Sequence, residues 1–381
     1  MFLLDRRLIS ICVHYYGAVP EMNSYEKLAA TLDKIPNGFP AVEDGTHLKI
    51  LEWIFTPEEA ELASKLKLRG ETLDEIAGRL RIPKKKLNQL LTTMLSKGQI
   101  SSWISKSAGS RKYGLLPFAV GIYEEQLNRM DKEFAQLLEQ YFKHGFKKIS
   151  AIEPVIFKVI PVNQSIRGEL EIYPYEQAEQ LLENAASWGI RECICKKQKS
   201  LLGQPCSYPT TVCMAFVPNR EHAFDDDELT KPVTKEESLR LLKQAEEAGL
   251  IHCSYNTQTG HYYICNCCTC CCAVLRGVNT LSNPREYIKT DFVISVNADL
   301  CTGCGTCIDR CQFRALSVPE DVCVPNTTRC IGCGVCAMVC PESALELIRK
   351  EPAEKPPPPE NPMDWMTQRA VFRKVDPSDV L

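Results

Sequence analysis

Hydrophobic and polar positions follow a helical period most clearly just after the first fifty residues. Thr56 and Thr72 each open a stretch with Glu three residues later, and this capping-box spacing predicts two short helices. A third helix is predicted next, because leucine and methionine recur at intervals of three and four residues until Gly98. The apolar and aromatic positions at residues 100–104 and 113–116 then predict two strands joined by a Ser/Gly loop.

Three helices followed by a β-hairpin resemble a winged helix. We therefore expect a winged-helix-like domain at residues 46–120, preceded by an N-terminal extension at residues 1–45. From residue 81 to residue 112 the chain has eight Lys or Arg side chains and no acidic one, and Lys84–Lys86 fall at the start of the third helix. Such a patch can bind phosphates. A solvated basic face or a docking surface for an acidic redox partner explains it better, so nucleic-acid binding is the less favoured interpretation.

The remainder of the chain mixes helical and extended patterns, which predicts an α+β fold. We predict helices at residues 123–141, 175–186 and 235–249, an extended segment at 149–162, and a hairpin of strands at 251–255 and 261–265. Helix, glycine and hairpin in this order suggest a divergent second copy of the winged-helix arrangement. A Pro-rich linker begins at residue 351, and residues 363–374 are predicted to form a short helix that docks on this protein or on a partner.

Composition adds one anomaly to an otherwise ordinary globular chain of 381 residues. The chain has 21 cysteines, and all except Cys12 lie between Cys193 and Cys340. Such density in a long chain without an export signal indicates metal binding in a reducing compartment, so we expect a cytoplasmic protein. Charged residues interrupt the apolar start of the chain, and we expect no membrane span. The net charge of −3 does not mark the whole chain as a nucleic-acid-binding protein.

Two identical cysteine patterns follow one another towards the C-terminal end. Each reads C-x2-C-x2-C-x3-C, and their first cysteines lie 29 positions apart. The first run is Cys301, Cys304, Cys307 and Cys311, and the second is Cys330, Cys333, Cys336 and Cys340. Such a run is the ligand pattern of a [4Fe–4S] cluster. Structural zinc usually takes two distant C-x2-C pairs and disulfides need an oxidising compartment, so both alternatives fit less well.

The segment from Ile294 to Ile348 resembles bacterial two-cluster ferredoxins, in which the fourth cysteine of each run binds the other cluster. The resemblance assigns Cys301, Cys304, Cys307 and Cys340 to a first cluster, and Cys330, Cys333, Cys336 and Cys311 to a second. Gln312 departs from the proline that the family usually has after the fourth ligand. Cys323 lies between the runs, and we expect it to be a small buried side chain.

A second cysteine-rich system precedes this segment. It comprises Cys193, Cys195, Cys206, Cys213, Cys265, Cys267, Cys268, Cys270, Cys271 and Cys272. Neighbouring side chains diverge, so only two or three of the last six should bind one centre, with partners among the first four. The others face a second centre or remain thiols. Thiolates suit both iron and zinc. We favour an additional iron–sulfur cluster, keep zinc as the alternative, and expect its charge to be offset by Arg191, Lys196, Lys197 and Lys199.

The succession RECICKKQ, ICNCCTCCC and a two-cluster ferredoxin segment resembles a group of multidomain iron–sulfur proteins of anaerobes without a firmly assigned reaction. The resemblance covers most of the chain from Pro36 to Ile348. The fold class we expect is therefore α+β with three domains and a tail. After the winged-helix-like domain come a central Cys-rich α+β domain at 121–290, a ferredoxin-like two-cluster domain at 291–350, and the linker with its tail at 351–381.

These observations lead to three hypotheses on function. The first is an electron carrier or electron-transfer subunit that passes single electrons through two [4Fe–4S] clusters and a further Cys-ligated centre to a redox partner protein. The second is a redox-sensing winged-helix regulator that binds DNA. The third is a reductase whose substrate binds at the central centre. The chain has no G-x-G-x-x-G, P-loop or H-E-x-x-H motif. Its status as an enzyme and its oligomeric state are left open.

Overall fold

A computed structural model describes residues 22–105, 109–162, 165, 166, 172–350, 356–376 and 378. The charged apolar start of the chain, including Cys12, lies outside these residues. The same holds for Lys106 of the basic patch and for the first part of the Pro-rich linker, residues 351–355.

The N-terminal part is a helical layer with a small sheet. Its helices are α1 (Ser24–Lys34), α2 (Thr46–Ile54), α3 (Pro57–Ala63), α4 (Leu73–Leu80) and α5 (Lys84–Ser96), and its strands are β1 (Glu71–Thr72), β2 (Ile100–Ile104) and β3 (Arg111–Leu115). The two predicted capping boxes are present at Thr56 and Thr72. The three strands form an antiparallel sheet in the order β1-β3-β2. The predicted helix starts and the hairpin are therefore in place.

The predicted helix at residues 123–141 is wrong in its first half. Only a short 3₁₀ turn, Glu124–Gln126, precedes helix α6 (Lys132–Tyr141), which is followed by α7 (Lys147–Ser150). Asp131 accepts a hydrogen bond from the Phe134 main-chain N–H at 2.8 Å and thereby starts a new helix. The buried face of α6 then completes the N-terminal core.

The central part is built on a six-stranded antiparallel sheet. Its strands are β4 (Phe157–Ile160), β5 (Ser187–Glu192), β6 (Thr211–Val217), β7 (Lys231–Val233), β8 (Ile251–Tyr255) and β9 (Tyr263–Cys267), in the order β4-β8-β9-β6-β5-β7. Its helices are α8 (Ala178–Glu183), α9 (Ile194–Leu201), α10 (Lys235–Ala248) and α11 (Ala273–Asn279). Residues of α8 and α10, including Leu182 and Leu242, pack with Met214, Phe216 and Ile264 of the sheet in one buried core.

Three predictions for this part need correction. The hairpin of β8 and β9 exists, but β8 also pairs with β4 and β9 with β6, so it is the middle of a larger sheet and not a second winged-helix arrangement. The predicted extended segment at 149–162 is a strand only at Phe157–Ile160. The predicted helix at 175–186 is limited to Ala178–Glu183.

The ferredoxin-like part has its own small sheets. Strand β10 (Phe292–Val296) and the last strand, β13 (Leu345–Arg349), pair along five residues each. Between them lie helix α12 (Thr306–Arg310) and the short strands β11 (Leu316–Ser317) and β12 (Val324–Pro325), which pair with each other. Buried Phe292, Ile294, Leu345 and Leu347 pack beneath the cysteine loops.

The chain ends in helix α13 (Pro362–Arg373), which docks on this protein itself. Trp365 and Arg369 are fully buried, and Arg369 Nε donates to the main-chain oxygen of Pro36 at 3.1 Å. The predicted docking helix is therefore found, and its partner is the rest of the chain. Among the helices of the described ranges, none is long and apolar enough to cross a membrane.

Candidate iron–sulfur and metal centres

The two cysteine runs fold into two equivalent loops whose glycines meet backbone at close range. Gly303 and Gly332 occupy the same position in each run and have φ angles of 66° and 62°. A Cβ atom at Gly303 would collide with the main chain of Asp321, and one at Gly332 with the main chain of Phe292. Only glycine accommodates both this φ and this contact, so the turn geometry is set by the sequence pattern itself.

The cysteines of the two runs line two separate small cavities. Cys301, Cys304, Cys307 and Cys340 line a cavity of about 10 Å³, and Cys311, Cys330, Cys333 and Cys336 line one of about 20 Å³. Each cavity thus takes three cysteines from one run and the fourth cysteine of the other. Cys323 also lines the first cavity; it is buried, with its sulfur 3.6 Å from that of Cys307.

Main-chain N–H groups point at sulfur in both loops. The N–H groups of Ala315 and Ala344 donate to the sulfurs of Cys311 and Cys340, with N···S distances of 3.3 and 3.2 Å. Cys323 donates in the same way to Cys301 at 3.3 Å. Such donors stabilise thiolates and tune the potential of an iron–sulfur cluster. The donor set therefore fits [4Fe–4S] clusters.

Four of the ten central cysteines form a compact group. The sulfur of Cys206 lies 3.7 Å from that of Cys268 and 3.6 Å from that of Cys270. The sulfur of Cys270 lies 3.2 Å from that of Cys268 and 3.6 Å from that of Cys271. Within the described part of the chain this is the only group of three or more potential metal ligands whose ligand atoms all lie within 4.8 Å of one another.

These distances suit a single metal ion. Four thiolates held tetrahedrally at a Zn–S distance of about 2.3 Å have sulfurs about 3.8 Å apart. The cysteines of the two ferredoxin-like cavities do not form such a close group, as a larger cluster between the sulfurs requires. A hydrogen bond from Cys271 and the nearby charge of Lys196 lower the pKa of Cys268 to about 5, which favours the metal-binding thiolate.

The other six central cysteines line a cavity of about 260 Å³, and they are Cys193, Cys195, Cys213, Cys265, Cys267 and Cys272. Cys268 and Cys271 of the compact group line the same cavity. Cys213 and Cys265 are direct partners across β6 and β9, and Cys193 and Cys195 lie at the start of α9. Neighbouring thiols affect one another's pKa in a series that runs from Cys193 through Cys195, Cys272 and Cys267 to Cys265 and Cys213.

Two polar side chains at this cavity were missed by sequence reasoning. The Tyr123 hydroxyl donates to Gln198 Oε1 at 2.9 Å and lies 3.6 Å from the sulfur of Cys195. Glu124 accepts a hydrogen bond from the Gly121 N–H at 2.6 Å, and burial raises the pKa of its carboxyl to about 8. Both residues lie where a continuous helix was predicted, and no local motif marks them.

Only two of the four basic residues expected near the central thiols are there. Arg191 and Lys196 line the cavity, and Arg191 also pairs with Glu125 at 3.1 Å. Lys197 and Lys199 instead turn towards the N-terminal part. The ammonium of Lys197 donates to the Leu127 main-chain oxygen at 2.6 Å, and Lys199 lies 3.6 Å from the Glu139 carboxylate.

Gln312 joins the two cysteine-rich systems. Its side-chain oxygen accepts a hydrogen bond from the N–H of Thr269 at 2.8 Å, and its amide nitrogen donates to the Gly249 main-chain oxygen at 2.6 Å. Thr269 lies between Cys268 and Cys270, whereas Gln312 follows Cys311. The residue that departs from the ferredoxin pattern is thus a direct contact between the compact group and the second ferredoxin-like cavity.

Comparison with known proteins supports the C-terminal assignment. The family model for the 4Fe-4S binding domain matches twice, at residues 294–317 and 323–346. A "Probable ferredoxin" of Methanosarcina thermophila is 53% identical over 30 residues, which cover 8% of this chain and 52% of that protein. The chain thus spans about half the length of this curated relative. No solved structure matches.

These matches define an iron–sulfur protein with a ferredoxin-type segment. Two matches to the 4Fe-4S binding domain correspond to two [4Fe–4S] clusters, which are cofactors of this protein. Together the two matches cover the stretch that contains both cysteine runs.

Proposed function

We propose that this protein is an electron-transfer protein, or the electron-transfer subunit of a larger redox system. The observation that carries the proposal is the crossed grouping of the eight cysteines around two cavities. On this basis Cys301, Cys304, Cys307 and Cys340 hold one cluster, and Cys330, Cys333, Cys336 and Cys311 hold the other. A [4Fe–4S] cluster held by four thiolates supplies one-electron chemistry and binds no substrate itself.

The chain's own groups tune these clusters. The Arg285 guanidinium donates to the main-chain oxygens of Cys330 and Phe292, at 2.7 and 2.9 Å. Arg285 is buried, so its positive charge acts on the second cluster through a medium that screens it weakly. Arg285 does not line the second cavity itself, and no Lys or Arg is among the described residues that line either ferredoxin-like cavity. The charge of Arg285 therefore makes the second cluster easier to reduce than it would be without Arg285.

The compact group of Cys206, Cys268, Cys270 and Cys271 holds a single metal ion. Zinc fits its sulfur–sulfur distances, and a tetrathiolate iron ion fits the same geometry. This assignment replaces the iron–sulfur cluster favoured from the sequence for these four residues. The ion clamps the turn after β9 to the loop around Cys206, which explains how a stretch so rich in cysteine keeps one conformation.

Metal analysis of anaerobically purified protein tests both parts. We expect at least about eight irons with matching sulfide from the two [4Fe–4S] clusters, and one further tetrathiolate-bound ion. Replacing Cys304 or Cys333 by Ala should each remove about four irons and one EPR signal. If Cys304→Ala and Cys333→Ala together left the iron content unchanged, the electron-transfer proposal would be wrong.

The N-terminal part, residues 46–120, forms a winged-helix-like docking domain in this proposal. Support comes from the helix order and from the β1-β3-β2 sheet. Lys84–Lys86 are exposed, but Lys84 pairs with Asp74 at 2.9 Å and Lys86 with Glu58 at 2.7 Å. These acidic neighbours reduce the attraction for a polyanion such as DNA. A protein partner therefore fits this surface better than nucleic acid does.

A reductase is the second candidate function, and the cavity of about 260 Å³ is the observation that favours it. Apart from the thiols its wall is mainly apolar, with Glu124 as an acidic group able to donate a proton. Glu124→Gln should then abolish turnover while the iron content stays unchanged. If the protein is an electron carrier without a substrate, the wild type and Glu124→Gln should show the same electron-exchange rate.

A further inference from the structure

The six cysteines around the cavity have no role in the two ferredoxin clusters or in the compact group. None of the six forms a disulfide, and four of them, Cys193, Cys195, Cys213 and Cys265, are only partly buried. Their partial exposure is towards the cavity that they line. Cysteines that merely fill a core would instead be packed on all sides.

The supporting elements fix three of these thiols on one sheet face and three at the adjoining helix starts. Cys213 and Cys265 face each other across β6 and β9, and Cys267 continues the same face of β9. Cys193 and Cys272 are the residues that precede α9 and α11, and Cys195 lies in the first turn of α9. Thiols from two helix starts and a sheet thus converge on one space.

The spacing of the six sulfurs distinguishes them from the compact group. No three of these six sulfurs all lie within 4.8 Å of one another, and the cysteines of each ferredoxin-like cavity share this property. Wide spacing excludes tetrahedral binding of one ion by four of them. It suits ligands that surround a cluster of several irons, as in the ferredoxin-like segment of the same chain.

The positively charged side chains around the cavity also favour a cluster. Arg191 occupies the position opposite Cys213 on the neighbouring strand, and Lys196 also lines the cavity. The Arg276 guanidinium, which pairs with Glu139, acts on Cys195 and Cys272 from the other side. Arg191 and Arg276 each pair with a carboxylate, that of Glu125 and that of Glu139, so part of the positive charge is already compensated. Around a thiolate-ligated cluster, which carries net negative charge, the three cations are stabilising.

We propose that Cys193, Cys195, Cys213, Cys265, Cys267 and Cys272 hold a further iron–sulfur cluster, and that this cluster exchanges electrons with the ferredoxin clusters. The second part rests on the proposed function. Cys267 and Cys272 pack in one hydrophobic core with Cys311 and Cys333 of the second ferredoxin-like cavity. In each event one ferredoxin cluster is oxidised by one electron while the cavity cluster is reduced by one, and no bond or proton has to move.

The cavity also has room beyond this cluster. The two ferredoxin-like cavities have volumes of about 10 and 20 Å³, whereas this cavity has a volume of about 260 Å³. The additional wall is formed by side chains such as Leu116, Phe157, Met214 and Val274. A cluster held by the six cysteines therefore borders apolar space in a cavity that is much larger than either ferredoxin-like cavity.

Two double variants of the full chain separate the centres. Cys195→Ser with Cys272→Ser removes two cavity thiols, whereas Cys206→Ser with Cys270→Ser removes two thiols that do not line the cavity. We expect about twelve or more irons in the wild type. The first variant should lose about four or more irons with matching sulfide and keep the single ion. The second should lose the single ion and keep all cluster iron.

If Cys195→Ser with Cys272→Ser retains the single ion and both ferredoxin EPR signals, this variant is folded. Cys253→Ala, a buried cysteine on β8 that does not line the cavity, should keep all metals. An unchanged iron content in Cys195→Ser with Cys272→Ser would overturn the proposed site. If the wild type showed no ferredoxin EPR signals but still contained the cavity iron, the proposed function would be wrong. The proposed site would not be affected by that result.

The order of reduction tests the electron route. After rapid mixing with reduced methyl viologen, the ferredoxin EPR signals should appear before that of the cavity cluster. In Cys333→Ala, which lacks the second ferredoxin cluster, reduction of the cavity cluster should slow at least tenfold. Equal rates in the wild type and Cys333→Ala would show that the cavity cluster receives electrons independently, and would overturn the route.

Discussion

At the residue scale, Gln312 shows how one departure from a repeated pattern acquires a role. The equivalent position of the second run is Pro341, which has no side chain able to hydrogen-bond. Gln312 instead forms hydrogen bonds to Thr269 and Gly249 of the central part. A single side chain thus couples two cysteine-rich systems that are otherwise separate along the chain.

Gln312→Ala should weaken this coupling without affecting either ferredoxin cluster. Two hydrogen bonds of about 0.5–1.5 kcal/mol each are lost, so the free energy of unfolding should fall by about 1–3 kcal/mol. Denaturant unfolding measures this loss, and iron analysis should give the wild-type value. Gln312→Pro, which recreates the residue of the second run, should behave in the same way. Loss of iron in either variant would contradict a purely connecting role.

Arg285 offers a second prediction at this scale. Because its buried guanidinium contacts the carbonyl of Cys330, Arg285→Met should make the second cluster harder to reduce. The expected decrease in reduction potential is about 60 mV, a tenfold change in a one-electron equilibrium. EPR-monitored redox titration gives the value.

Arg329→Met is the matched control for Arg285→Met. Arg329 also donates to main-chain oxygens, but to those of Phe313, Leu281 and Asn279 and not to that of a cysteine. The potential of the second cluster should therefore change far less in this variant. Equal decreases in both variants would show that general loosening of the fold, and not the charge of Arg285, is responsible.

At the element scale, Glu59 ties helix α3 to the turn that precedes β2. Its buried carboxylate accepts hydrogen bonds from Lys97 Nζ at 2.6 Å and from Gln99 Nε2 at 2.9 Å. Burial raises the pKa of Glu59, but these bonds and one from the Thr56 N–H outweigh it, so the pKa lies below its usual value of about 4.5. The carboxylate form therefore stabilises the folded state.

Glu59→Gln should lower the free energy of unfolding by about 3 kcal/mol, because it leaves Lys97 without its buried partner. A depressed pKa gives stability that is complete above pH 4.5 and is lost as the pH falls through the folded-state pKa. The variant should lack this acid-dependent component. Glu58→Gln is the control, since Glu58 forms only an exposed pair with Lys86 and should cost at most about 1 kcal/mol. Equal losses of unfolding free energy in Glu59→Gln and Glu58→Gln would contradict the stabilising role of the buried Glu59 carboxylate.

Helix starts could be predicted from the sequence, because a capping box is a contact within four residues. The starts at Thr56, Thr72 and Thr234 all lie where predicted. The prediction failed at residues 123–141, where Asp131 caps a new helix inside an otherwise suitable apolar pattern. Local periodicity does not show where a chain interrupts one helix to start another.

The ferredoxin-like centres could also be predicted, since a fixed spacing within each run determines which thiols meet. The division of the ten central cysteines into the compact group and the six cavity cysteines could not be predicted. It depends on the register that places Cys213 opposite Cys265, and on the turn that directs Cys268, Cys270 and Cys271 away from the strand. Both are long-range features. The sequence argument expected two or three of the last six cysteines at one centre and had no means of telling which ones.

At the scale of the whole molecule, helix α13 connects parts that are distant along the chain. The Arg369 guanidinium donates to the main-chain oxygens of Ile152 and Pro154, both at 2.7 Å, and to that of Pro36 at 3.1 Å. It also stacks over Trp365, 4.7 Å from the ring centroid. One side chain from the tail thus satisfies oxygens of both the N-terminal and the central part.

Arg369→Met should therefore destabilise more than one part of the molecule. It leaves several buried carbonyl oxygens without a donor, at about 1–3 kcal/mol for each group, so we expect a loss of at least about 3 kcal/mol in unfolding free energy. Lys374→Met removes an exposed cation near the end of the same helix and should change stability by less than about 0.5 kcal/mol.

The site of proteolytic cleavage distinguishes a clamp from a local contact. If α13 holds the N-terminal and central parts together, Arg369→Met should release the helix. Limited proteolysis should then cut near residues 149–156 and in the tail at rates at least tenfold above wild type, with the cluster iron still bound. Arg369 would anchor only its own helix if cleavage were confined to the tail and if the unfolding of the N-terminal part, followed at Trp53 and Trp103, were unchanged. The structure predicts the wider effect, because the oxygens that Arg369 satisfies belong to segments outside α13.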